Sequence, residues 1–134
     1  MKASTFCFRA ATVFALCGIA MGIAMAASRD HSVMPAHAHL NLLGWVSLFL
    51  FGIYYKMNPA TDAGRLALVQ ASAWSFGTVV LTIAVAAIHL GYEAADPLAG
   101  IASIVVLSAM ILFAVLVFRP VADRPGAALL TPAE

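Results

Sequence analysis

Charge is the scarcest property of this chain. Of its 134 residues only seven are Lys or Arg and six are Asp or Glu, for a net charge of +1. No basic face is available to neutralise phosphates, so nucleic acid is excluded as an expected partner. None of the six acids falls within a long apolar run, so no relay of buried carboxylates is expected. Cysteine is scarce too. Cys7 and Cys17 are the only two, and ten residues of helix would hold them roughly 15 Å apart, too far for a disulfide. There is no C-x-x-C-H for covalent haem attachment. There is also no H-E-x-x-H and no phosphate loop, so hydrolytic catalysis is not expected.

What remains is apolar. Hydrophobic residues make up 63% and charged residues 10%, against about 45–50% and about 25% in soluble domains. They cluster in four uncharged runs, at about 10–27, 35–55, 66–90 and 98–118. Each has the length of a bilayer-crossing helix, and only helices satisfy the backbone of such segments in lipid. Short connections make neighbours antiparallel. The expected fold is an all-α membrane protein, an antiparallel four-helix transmembrane bundle over residues 1–119. Asn58-Pro59 should end the second helix, Thr61 or Asp62 cap the third, Gly91 end it, and Asp96-Pro97 open the fourth. Residues 120–134 carry three of the six prolines and are expected to form a disordered tail.

Lys2, Arg9, Lys56, Arg65, Arg119 and Arg124 share one side of this topology, and Arg29 alone takes the other. The positive-inside rule then puts both termini and the tail in the cytoplasm. Lys2, Arg9, the first apolar run and Ala24-Met25-Ala26 also have the order of a cleavable signal peptide. The run is longer than such a region requires, and Gly18-Ile19-Ala20-Met21-Gly22 is a small-xxx-small packing motif. A retained helix is the expectation.

Ionisable side chains in or beside a membrane segment are costly and mark functional sites. All four histidines, His31, His37, His39 and His89, map to one end of the bundle. At about 100° per residue His37 and His39 point to opposite faces. His37 shares its face with Asn41, Gly44, Leu48 and Tyr55 and should point inward. His39 shares its face with Leu43, Val46, Leu50 and Ile53, a lipid or packing surface. On the third helix Ser75, Thr78, Thr82 and His89 form a stripe expected to face the interior. His37 and His89 are thus the expected axial ligands of a haem iron, with His39 the alternate and Asn41 orienting the His37 ring. The cofactor would be a non-covalent haem b.

Simpler roles fit the same residues. Histidine at a membrane edge anchors to headgroups, and the hydroxyl stripe serves packing. Cys17, Met21 and Met25 share a helical face leading to His31, a soft-ligand set suited to copper. A copper carrier or insertion factor is therefore an alternative, although Met and Cys also fill ordinary cores. A cofactor-free accessory subunit is another. The partners to expect are the lipid bilayer, a respiratory complex and a second copy of the chain.

The segment His37-Ala38-His39-Leu40-Asn41-Leu42-Leu43-Gly44-Trp45, with Leu48 to Tyr55 after it and Gly18 to Gly22 before it, carries a resemblance. It resembles small bacterial inner-membrane proteins labelled cytochrome c oxidase-like, related to subunit I of haem-copper oxidases and nitric oxide reductases. The resemblance implies an inner-membrane location and a histidine ligand to a low-spin haem, at His37 or His39. It covers about residues 18–55. A full subunit I has about a dozen helices and six histidines for its metal centres, against four and four in this chain. Oxidase activity by this chain alone is not expected.

Overall fold

The computed structural model describes residues 1–119; the expected tail, 120–134, lies outside the described residues. Four long helices carry the fold: α1 (Ala3–Ser28), α2 (Met34–Met57), α3 (Arg65–His89) and α4 (Asp96–Phe118). There is no strand among the described residues. All four are long and apolar enough to cross a bilayer, and their outward side chains, such as Leu16, Phe76 and Ile104, are apolar. The chain is a multi-pass, all-α membrane protein.

Lipid is as apolar as leucine, so membrane helices associate by shape rather than by a hydrophobic drive. The α1–α2 seam is built that way, with a glycine opposite a large side chain at each level. A β-carbon on Gly52 would lie 2.8 Å from Phe8, and one on Gly44 would lie 2.7 Å from Phe14. Further along, the glycines change sides. A β-carbon on Gly18 would meet the Asn41 amide oxygen at 2.5 Å, and one on Gly22 would approach the His37 ring at 3.2 Å. The α3–α4 seam uses Gly77 in the same way against Val105 and Val106. Phe51, Trp74 and Phe113 stack in the core, with ring centroids 4.9 Å and 4.3 Å apart. The α4 helix packs along α3 and meets α2 near Tyr54, where Phe113 lies against Phe51 and Tyr54 and the Tyr54 hydroxyl donates to the Leu116 carbonyl at 3.3 Å; toward the histidine end a cleft remains between α2 and α4.

The connections follow local chemistry. Asn58 leaves helical geometry before Pro59, with φ −119° and ψ 75°, and the turn Pro59–Asp62 carries the chain back to α3. Asp62 does not cap α3, contrary to the expectation from its position in the sequence. It turns onto the start of α1, where the Ser4 amide donates to Oδ1 at 2.7 Å and the Ser4 hydroxyl to Oδ2 at 2.8 Å. An anion at a helix N-terminus meets unpaired N–H groups and the positive end of the helix dipole, which explains why a carboxylate is held there almost wholly buried. Gly91 ends α3 with φ +92°, and Pro97 sits in the first turn of α4. At the opposite end from Asp62, the Asp30 carboxylate accepts bonds from the Ser32 hydroxyl and amide, which hold it below the usual carboxylate range.

Midway, α2 departs from regular α geometry. Leu40–Ser47 forms eight residues of π-helix, and the Ser47 hydroxyl donates to the carbonyl of Leu42, five residues back, at 2.8 Å. Wide turns of this kind recur at functional sites because they re-aim side chains along an otherwise continuous helix. This one starts immediately after His39.

Candidate cofactor site

His37 and Asn41 lie one turn apart on the α1-facing side of α2, and both are half-buried. The Asn41 amide nitrogen donates to the His37 carbonyl at 2.9 Å and stands 3.2–3.3 Å from both ring nitrogens. Gly22 and Gly18 form the floor beneath the ring and the amide. The small-xxx-small motif of α1 is therefore the seat of this pair. Its tightness leaves His37 engaged with its own helix and with α1.

His39 takes the opposite side of α2. Its Nδ1 lies 2.7 Å from the Pro35 carbonyl. A carbonyl can only accept, so Nδ1 carries the proton and Nε2 keeps its lone pair. The half-buried ring lines the cleft between α2 and α4, whose volume is about 490 Å³. Leu42, Leu43, Trp74, Leu81, Ser103, Val106, Leu107 and Met110 line it with Ala38. The polar hydrogens of this lining are already committed. Trp74 Nε1 donates to the Leu43 carbonyl at 2.9 Å, and the Ser103 hydroxyl to the Ala99 carbonyl at 2.9 Å. His39 is the one ionisable side chain on the cleft wall. The reading of its face as a lipid surface holds for Val46, Leu50 and Ile53, which are exposed. At the level of His39 and Leu43 the same face becomes the wall of the cleft.

His89 does not continue the buried stripe. Thr78 and Thr82 are buried, with hydroxyls that meet no partner among the described residues, and Ser75 is half-buried. His89 is exposed, and its Nδ1 bonds the Val85 carbonyl at 2.9 Å. The bond between Trp74 and Leu43 sets the depth of α3 against α2. Four residues beyond Leu43, His39 stands near the level of Thr78 to Leu81. His37 stands only slightly further out, so His89 lies roughly 10 Å beyond it along the axis. The two histidines expected to face one another are separated in depth, and one of them faces outward.

The soft-ligand set is spread in environment. Cys17 is exposed, Met21 half-buried, Met25 buried, and His31 exposed in the connection after α1. Among the described residues no group of three or more His, Cys, Asp or Glu side chains could hold a metal ion. At the other end of the bundle is a polar cluster that spacing does not announce. Tyr55 donates to Gln70 Oε1 at 2.8 Å, and buried Cys7 belongs to the same core as Tyr55. Asp62 lies outside the four apolar runs, as expected, yet it is a buried carboxylate. Ala11, Leu48 and Ala71, all fully buried, belong to the same core as Tyr55 and Cys7. No protein-family model, curated protein or solved structure matches the chain.

Proposed function

We propose that the protein is a small integral membrane haem b-binding protein serving electron transfer or redox/gas sensing beside a respiratory oxidase-like system, with His39 as its iron ligand. The observation that carries this reading is one imidazole on the wall of an apolar cleft of about 490 Å³, its Nδ1–H held by the Pro35 carbonyl and its Nε2 left unprotonated. Ligating histidines almost always donate their other ring N–H to a carbonyl or carboxylate, which sets the tautomer and raises ligand basicity. Cofactor sites are mostly apolar clefts of about 300–1,000 Å³ with few polar groups. The donor set therefore fits a planar, apolar macrocycle held by one nitrogen. Haem, when bound, supplies reversible one-electron chemistry at iron.

The chain's own residues do the rest. Pro35 orients His39, Trp74 and Leu43 close one end of the cleft by their mutual bond, and aliphatic side chains exclude water. His37, clasped by Asn41 and seated on Gly22 of α1, is a positioning residue that holds the helix bearing His39. The likeness of residues 18–55 to oxidase-type segments agrees with this assignment and with a bacterial inner membrane. The basic residues Lys2, Arg9, Lys56, Arg65 and Arg119 favour cytoplasmic termini.

The test is the absorption spectrum and metal content of the purified protein after expression with haem and copper supplied. The native protein should show a Soret band, His39→Gly should lose it, and added imidazole should restore it. His89→Ala should leave it unchanged. Bound copper without haem would replace this reading with the carrier, and neither would leave an accessory subunit that only packs against a larger complex.

A further inference from the structure

We infer that the face of α1 bearing Lys2 and Arg9 holds one anionic phospholipid, with its phosphate between the two cations and its acyl chains along the apolar stripe that continues the face. The inference is independent of the haem reading and concerns the opposite end of the bundle. Lys2 and Arg9 stand seven residues apart, two turns of helix, so they share one face over about 10 Å of its length. Both are exposed. The buried residues Ser4, Cys7, Ala11 and Gly18 take the other side of α1. Val13, Leu16 and Ile23 follow four, seven and fourteen residues beyond Arg9, on its own face, and are exposed. One strip of α1 thus carries cations at one end and apolar side chains after them, which complements the charge and polarity of a phospholipid.

Arg9 has no carboxylate to meet among the described residues. Asp30, Glu93 and Asp96 lie at the histidine end of the bundle. Asp62 lies at the right end, but it is buried and both its oxygens are engaged by Ser4. That contact also occupies the N-terminus of α1, so a second anion is left to the side chains. A guanidinium beside a lipid-facing stripe is costly unless it reaches the interface and finds a partner there. The depth of Arg9 suits that. The part of α1 beyond it, residues 10–28, is about 29 Å long, close to the roughly 30 Å of a bilayer's hydrocarbon core. Arg9 therefore stands at the headgroup boundary, with Lys2 on its aqueous side. Arginine binds phosphate oxygens through paired N–H groups, and lysine adds a point charge. A zwitterionic lipid offers the same phosphate but brings its own ammonium, so two cations favour a headgroup with net negative charge.

The experiment takes the full chain, delipidated in neutral detergent and titrated with equal amounts of phosphatidylglycerol and phosphatidylcholine carrying the same acyl chains. Native mass spectrometry counts the lipid retained. The first lipid bound should be phosphatidylglycerol, at one per chain. Arg9→Gln should lower that preference about fivefold, the effect of one cation at an anionic surface. Arg9→Lys should retain most of it, and Arg119→Gln, at the end of α4, should leave it unchanged. Equal retention of the two lipids by the native protein would overturn the inference. So would an equal loss in Arg119→Gln, which would mean diffuse charge rather than a site. Displacement of the lipid by an equal concentration of glycerol phosphate would show that the apolar stripe takes no part, and would overturn it too. A preference that emerges only in Asp123→Asn would assign the carboxylate of residue 123 as the partner of Arg9 instead.

Discussion

At the residue scale, glycine decides what α1 can hold. Gly18 and Gly22 are places where a side chain has been left out so that Asn41 and His37 can occupy the space. Gly18→Ala would drive a methyl group into the Asn41 amide, whose own bond to the His37 carbonyl resists moving. Overpacking of this kind costs about 1–3 kcal/mol. The control is Gly100→Ala, where a β-carbon meets nothing within 4 Å, and relief of the glycine penalty in a helix contributes up to about 1 kcal/mol. Denaturation of the two variants in mixed micelles should move in opposite directions. Equal destabilisation would mean that Gly18 is ordinary helix surface. The histidines differ at this scale by what holds each ring. A carbonyl fixes His39 and leaves Nε2 free, whereas an amide and two glycines occupy His37.

At the element scale, α1 is bound to the rest of the bundle at both ends, by the Gly18–Gly22 seat and by the Asp62 carboxylate at its N-terminus. Asp62→Ala strips the Ser4 amide of its acceptor and the helix of its anionic cap, at about 1–3 kcal/mol. Asp62→Asn keeps an acceptor oxygen and should cost less. Hydrogen exchange at residues 3–8 checks this, because the effect should be confined to the first turns of α1. Uniform loss of protection across all four helices would instead place Asp62 at the centre of global stability. This contact also marks where the sequence stops being readable. The helices are legible because apolar runs, Asn58-Pro59, Gly91 and Pro97 act locally. Residues 58 positions apart in the chain, such as Ser4 and Asp62, meet only through the tertiary fold, so in the sequence Asp62 reads as a cap for the helix next to it. The opposed facing of His37 and His39 follows from helical spacing, and the Asn41–His37 contact from one turn of separation. The π-helical segment carries no signature in a periodicity that assumes 3.6 residues per turn. The cleft depends on where α4 lies relative to α2, which no single helix encodes. The depth of His89 escapes the sequence because it is fixed by the Trp74–Leu43 bond rather than by the loop between α3 and α4.

At the scale of the whole molecule, four spans put the two ends of the bundle's chain on one side and the histidine end on the other. The basic side chains divide the same way: Lys2, Arg9, Lys56, Arg65 and Arg119 lie at the Asp62 end, and Arg29 lies alone at the histidine end. Basic residues close to short spans resist translocation, so the Asp62 end should stay in the cytoplasm and the histidine end should face outward. A protein with Cys7→Ala and Cys17→Ala gives a background for single cysteines, since both native thiols lie within α1. In intact cells a membrane-impermeant maleimide should then label Ser32→Cys and Glu93→Cys but not Ala63→Cys, and lysis should expose the third position. Labelling of Ala63→Cys alone would invert the orientation and bring the His39 cleft nearer the cytoplasmic face. Simultaneous labelling of Ser32→Cys and Ala63→Cys from outside would overturn α2 as a complete span. The outward arrangement has a chemical consequence for the proposed site. The cleft begins at His39, within two turns of the α2 N-terminus, and its walls are otherwise apolar. On the proposed reading a water-soluble reductant would reach the site from the histidine end, the side that Ser32→Cys and Glu93→Cys report.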